Sequence, residues 1–153
     1  MPGTVPVFWS RWIVFLSLFL ILYGLAMMVA PQTMNSVLVG PLLYHDEAQR
    51  IAFAAMVEPD VTFFNIINGL LGTVTIGYAI LIGWIAFEPF HNGERWAWNA
   101  LAMSVTVWAV LEGYLKLSYG LGMWSQAHLG LLVAFGIPLL ATYRDFHVPA
   151  KMD

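Results

Sequence analysis

An all-α bundle of membrane-spanning helices is the fold this sequence predicts, and three observations carry the prediction. First, 60% of its 153 residues are hydrophobic and only 10% are charged, whereas a soluble domain carries roughly 25% charged residues because water has to wet its outside. Second, the mean hydropathy is +0.76, and the apolar residues gather in uncharged runs of about 20 residues, the length that crosses hydrocarbon at the helical rise. Third, strand alternation is absent, and a backbone in lipid must bond to itself, so the runs are helices. A single transmembrane domain of four helices accounts for the whole chain.

The first span runs from about residue 9 to residue 30, between the Phe8 to Trp12 region and Pro31. Its apolar run exceeds that of a signal peptide, and Met28 and Val29 break the small-residue pattern of a cleavage site, so it is a retained anchor. The second span is the uncharged run Val61 to Phe87, between Asp60 and Glu88. Next comes the compact segment Glu88-Pro89-Phe90-His91-Asn92-Gly93-Glu94-Arg95, where Pro89 stops a helix and Asn-Gly tolerates positive φ. The third span covers about 96–118 and carries Glu112 and Lys116 near its end. The fourth covers about 123–142, with Gly136 and Pro138 expected to bend its last turns.

The long connection between the first two spans contains Asp46 and Gln49, spaced as an N-cap and its reciprocal partner, and Asp46 and Arg50 as an i, i+4 pair. A short surface helix over about 47–57 is therefore expected on the extracytoplasmic face. Counting basic residues gives Arg11, Arg95, Arg144 and Lys151 on one side and Arg50 and Lys116 on the other, which places both termini in the cytoplasm of a cell inner membrane. Trp9, Trp12, Trp84, Trp96 and Trp98 then fall at the cytoplasmic interface, and Tyr44, Tyr114, Tyr119 and Trp124 near the other.

In lipid, small residues mark helix contacts because they let backbones approach. Gly69, Thr73 and Gly77 make such a stripe on the second span, with Gly72 one step around; Ala102, Thr106, Ala109 and Gly113 do so on the third, and Gly130 with Ala134 on the fourth.

Ionisable and amide side chains inside a span are expensive and ask for a partner or a purpose. Five fall in the outer half: Asn65 and Asn68 at the start of the second span, Glu112 in the third, and Gln126 and His128 at the start of the fourth. They are expected in one layer. Lys116 stands one turn beyond Glu112 and can pair with it; with Trp108 it joins the expected ligand-contacting set. Structural interhelical hydrogen bonding explains such a layer, and so does a polar pocket. If the layer is a pocket, Glu112 and His128 form an acid and base couple. His91 and His147 are expected to be solvated loop residues, and His45 a surface residue beside a helix start.

Other chemistry is excluded by what the sequence lacks. Without Cys there are no disulfides, thiolate metal sites or thiol nucleophiles. A net charge of -3 without a basic cluster leaves no footprint for nucleic acid. The donors His45, Asp46, Glu58, Asp60 and His128 match no metal signature, and no phosphate loop or nucleophile elbow is present, so no metal and no cofactor are expected. The expected function is binding of a hydrophobic molecule, or service as an accessory subunit of a larger membrane complex. The alternative is a membrane enzyme, isomerase or oxidoreductase in type, acting on a lipid-soluble substrate through Glu112 and His128.

The stretch Gly93-Glu94-Arg95-Trp96-Ala97-Trp98, behind the Gly-rich second span, resembles the turn of small four-span bacterial membrane proteins described as DoxX-like. The resemblance covers roughly residues 60–120 and implies a four-helix bundle in a bacterial membrane. It carries no functional residue with it. The outer-half Glu and His also look superficially like the sterol-isomerase and sigma-two receptor fold, without a motif to align.

Overall fold

The computed structural model describes residues 6–34, 48, 51, 55, 61–118 and 126–147, except for the side chains of residues 116 and 126–128. Every element among them is helical, so the all-α expectation holds. Helix α1 spans Val7–Val29, α2 Val61–Ile85, α3 Arg95–Ser118 and α4 Gln126–His147. Three helices among the described residues are long and apolar enough to cross a membrane: Val7–Val29, Val61–Phe90 and Leu129–His147. Helix α3 is as long as these, but Asn99 and Glu112 dilute its apolar character. The expected surface helix over 47–57 lies largely outside the described residues; Ala48, Ile51 and Ala55 are helical and exposed.

Three boundaries differ from expectation. Pro89 does not stop α2, because the chain continues through it as a wider π-turn, Ala86–Phe90, a winding in which the missing N–H of proline is tolerated. Pro31 does not end helical winding either, since Pro31–Thr33 forms one more turn after α1. Helix α4 runs through Pro138 to His147. Within it the Thr142 hydroxyl, fully buried, donates to the Pro138 carbonyl at 2.7 Å.

The turn between α2 and α3 is tied by its own backbone. Asn92, Gly93 and Glu94 donate to the carbonyls of Glu88, Phe90 and Pro89 at 2.9, 3.1 and 2.9 Å. Gly93 adopts φ 75°, the left-handed region that glycine enters without a Cβ penalty. The Trp96 indole donates to the Glu94 carboxylate.

Packing divides the molecule into two helix pairs. Helix α1 lies along α2, and α3 along α4, with α1 also touching α4. At the turn end the two pairs close on one apolar core: Ile13 and Leu16 from α1, Ile82, Ala86 and Phe90 from α2 and its π-turn, Ala97 and Leu101 from α3, and Phe135, Leu139 and Phe146 from α4. Phe90 and Phe146 meet ring to ring at 4.9 Å. Towards the other end, α2 and α3 hardly touch each other.

The α1 to α2 seam is a backbone contact. A Cβ on Gly72 would stand 2.5 Å from the Gly24 carbonyl oxygen, and one on Gly24 2.7 Å from that of Gly72. The expected stripe of Gly69, Thr73 and Gly77 is therefore corrected by one step around the helix. Gly69 and Gly77 have nothing within 4 Å, and the contact face is Gly72, Ile76, Ala79 and Gly83, the last facing Ser17. Residues one apart differ by about 100° around a helix, so the two stripes look in different directions. On α4, Gly130 likewise has nothing within 4 Å, while Ala134 packs at the core.

Candidate functional site: the polar half of the bundle

The inward stripes of the helices keep their register from end to end while their chemistry changes. On α2 the stripe is Asn65, Asn68, Gly72, Thr75, Ala79, Ile82 and Ala86, spaced alternately by three and four residues, and every member is buried or half-buried. On α3 it is Ala97, Leu101, Ser104, Trp108 and Glu112. On α1 it is Ile13, Leu16, Leu20, Tyr23 and Met27. Towards the turn these stripes are apolar and form the core; away from it they carry Tyr23, Asn65, Asn68, Trp108 and Glu112.

Tyr23 is the residue that sequence reasoning missed. Its ring is half-buried on the inward stripe of α1, next to the Gly24 contact with α2. The signal was present in the sequence: Tyr23 is a polar ring group inside an apolar run, in register with Ile13, Leu16 and Leu20. Asn68, Trp108 and Glu112 are each engaged by a neighbouring group.

Depth along the bundle follows from the contacts. Gly24 lies against Gly72, and counting outward from Ile82 and Leu101, which share the core, sets Glu112 roughly level with Gly72. Asn68 then lies about 6 Å, and Asn65 about 10 Å, farther from the turn at 1.5 Å per residue. Among the described residues the polar groups form a ladder, with Glu112 and Tyr23 on its inner rung and the two amides above. On α4, the pairing of Trp98 with Leu139 and Tyr143 brings the backbone near residue 128 to the level of Glu112 by the same count. The side chains of Gln126, His128 and Lys116 lie outside the described residues.

A second cluster sits at the turn end. His147, expected in a solvated loop, closes α4 and is half-buried. Its ring stacks on Tyr143 at 4.5 Å and 12°, and meets Trp98 edge-on at 4.7 Å. Its Nδ1 faces the Tyr143 carbonyl at 3.0 Å and its Nε2 the Asn99 amide oxygen at 3.3 Å. His91 is also half-buried, with Nδ1 3.4 Å from the Ser10 hydroxyl. Both histidines tie helix ends together. The sequence hid this because α4 was expected to stop at residue 142.

The chain matches no family model, no curated protein and no solved structure. Site residues therefore rest on the chain's own geometry, and the DoxX-like resemblance adds none. Among the described residues no group of three or more His, Asp or Glu is placed to hold a metal ion; His45, Asp46, Glu58 and Asp60 lie outside them. What the polar half offers chemically is a phenol, a carboxyl group, amides and an indole, all projecting between two apolar helix pairs.

Proposed function

We propose that this chain is an integral protein of the cell inner membrane that crosses it four times, with both termini in the cytoplasm, and holds a lipid-soluble molecule by its polar end in the outer half of the bundle. Arg11, Arg95 and Arg144 are exposed at the turn end, in keeping with a cytoplasmic location for that end. The observation that carries the binding reading is the change of chemistry along continuous inward stripes, from Leu16, Ile82 and Leu101 to Tyr23, Asn68 and Glu112. Polar groups in lipid are costly enough that packing alone does not call for so many of them on inward faces.

The test is extraction of the protein in native membrane patches, followed by mass analysis of its lipids. One lipid species is expected to be enriched over the surrounding membrane. Glu112→Ala is expected to lose about tenfold of that enrichment, the equivalent of one charge-assisted hydrogen bond. Identical lipid in the patches and in the bulk membrane would refute the reading.

A catalytic version of the same site is favoured by one observation, the level shared by Glu112 and the backbone near His128. An acid and base couple requires the two within hydrogen-bond reach of one substrate. Chemical change in the enriched lipid, lost in Glu112→Gln while the lipid stays bound, would mark the protein as an enzyme. The accessory-subunit reading draws on the open outward face at Gly69 and Gly77; co-purification of a stoichiometric partner in the same patches would support it.

A further inference from the structure

The side of α2 that carries Ile82 continues outward through Thr75, Leu71 and Phe64, and the side of α3 that faces it carries Trp108, Leu111 and Leu115. At the turn these sides are pressed together by the core. Farther out, among the described residues, they separate, since α2 packs on α1 and α3 on α4, with little contact between α2 and α3. Leu71, Leu111 and Leu115 are 51%, 58% and 54% exposed there. Counting outward from the core, residue 71 stands within about one helical turn of residues 111 and 115, and residue 75 within one turn of residue 111. Behind this opening lie Tyr23, Asn68 and Glu112.

We infer that the opening between α2 and α3 is a lateral doorway through which the ligand slides in from the lipid, and that the ligand is a long-chain amphiphile with a small neutral hydroxyl or carbonyl head. The inference rests on the binding reading above and adds the route and the ligand class. Both walls are largely apolar, with Leu71 and Phe64 on one side and Leu111, Leu115 and the Trp108 ring on the other, so what passes between them is a hydrocarbon chain or a flat apolar ring. The head must settle beside a phenol, an amide and a carboxyl group, which together donate and accept hydrogen bonds. A charged head of either sign would have to be carried about 9 Å in from the α3 end at Ser118, six residues at the helical rise, away from headgroups and water. A lipid alcohol, a phenol and a quinone share the chemistry that remains.

The absence of native cysteine makes the doorway testable. The full-length double variant Leu71→Cys/Leu115→Cys, in lipid nanodiscs, is bridged by a flexible bismaleimide, and bridging is verified by mass. The nanodiscs contain a trace of a diazirine-bearing long-chain alcohol, or in a parallel arm a diazirine-bearing phosphatidylglycerol of the same chain length. Before bridging, light is expected to attach the alcohol to the segments around residues 68–75 and 108–115. Excess unlabelled alcohol should compete, and the phospholipid arm should leave these segments unlabelled. After bridging, alcohol labelling within a fixed short exposure is expected to fall by about an order of magnitude, because closing the route slows association, while labelling of the lipid-facing side of α1 at Phe15 and Leu22 persists. Thr75→Cys/Leu111→Cys gives the same comparison should the first pair disturb folding. Competed labelling that survives bridging in both pairs overturns the doorway and leaves the binding reading standing. Equal labelling by the phospholipid overturns the ligand class. No saturable labelling of the unbridged protein overturns the binding reading itself.

Discussion

Pro138 and Trp12 offer the sharpest test of how α1 is held against α4. In an unbroken α-helix the carbonyl of residue 134 accepts from the N–H of residue 138, but residue 138 is proline and has none to give. The orphaned Ala134 oxygen is taken by the Trp12 indole of α1 at 3.0 Å. Replacing Trp12 by Phe leaves that carbonyl without this donor, a loss of about 0.5–1.5 kcal/mol for a hydrogen bond at the exposed edge of the helix pair. In a Pro138→Ala background the helix regains its own N–H, the carbonyl is satisfied internally, and Trp12→Phe is expected to cost only about 0.5 kcal/mol. The difference is a coupling of up to about 1 kcal/mol, within the range for residues sharing one hydrogen-bonded group. It is measured by a double-mutant cycle on reversible denaturation in bicelles, followed by far-ultraviolet circular dichroism so that the lost tryptophan does not alter the signal. Packing losses specific to either substitution cancel in the cycle. An equal penalty for Trp12→Phe in both backgrounds would refute the argument, since the indole would then be contributing surface contact and not the missing bond.

Gly24→Ala and Gly72→Ala are each expected to cost about 1–3 kcal/mol by overpacking, because the added methyl meets backbone at 2.7 and 2.5 Å; Gly69→Ala and Gly77→Ala should stay within about 0.5 kcal/mol by the same unfolding assay. His147→Ala removes the stacking on Tyr143 and the edge contact with Trp98, about 0.5–1.5 kcal/mol, and should diminish the near-ultraviolet dichroism of those rings. A single cysteine at Asn92 should react with a membrane-impermeant maleimide only after cells are opened, whereas one at Ser118 should react in intact cells with a permeable outer barrier; the reverse pattern would invert the proposed orientation.

Helix existence was legible in the sequence because it depends on long apolar runs, and in lipid little else is allowed. Helix ends were less legible. Pro89 reads as a stop and Pro138 as a bend, yet the helical winding runs on through both, at Pro89 by a π-turn and at Pro138 by a helix whose orphaned carbonyl finds Trp12 on another element. That compensation is tertiary and invisible along the chain. The glycine face was misplaced for a related reason: Gly69, Thr73 and Gly77 form a tidy i, i+4 series, but which series meets a neighbour depends on the partner, and Gly24 on α1 selects Gly72. Of the candidate site, Asn65, Asn68 and Glu112 stand out in the sequence by their cost in lipid, while Tyr23 does not, because a tyrosine is not conspicuous by charge.

The asymmetry of the bundle has a physical origin in its connections. A short bonded turn fixes the end of α2 beside the start of α3, and the small residues Ala86 and Ala97, both fully buried, let the helices close there around Phe90. Away from that turn no comparable tether joins α2 to α3 among the described residues, and bulky Leu71, Leu111 and Leu115 replace the alanines on the facing sides. In water such surfaces would be driven together; in lipid, burying leucine against leucine gains little over burying it against acyl chains. Only polar contacts could then draw the far half shut, and those groups sit behind the apolar walls instead of between them. Separation of the two helix pairs is consequently the low-cost arrangement for this sequence in a membrane, which is the condition a lateral doorway requires. Replacing Leu71, Leu111 and Leu115 together by alanine tests that step: it should permit α2 and α3 to approach, protecting cysteines at Thr75 and Ser104 from lipid-phase maleimides, and unchanged reactivity would show that side-chain bulk does not hold the pairs apart.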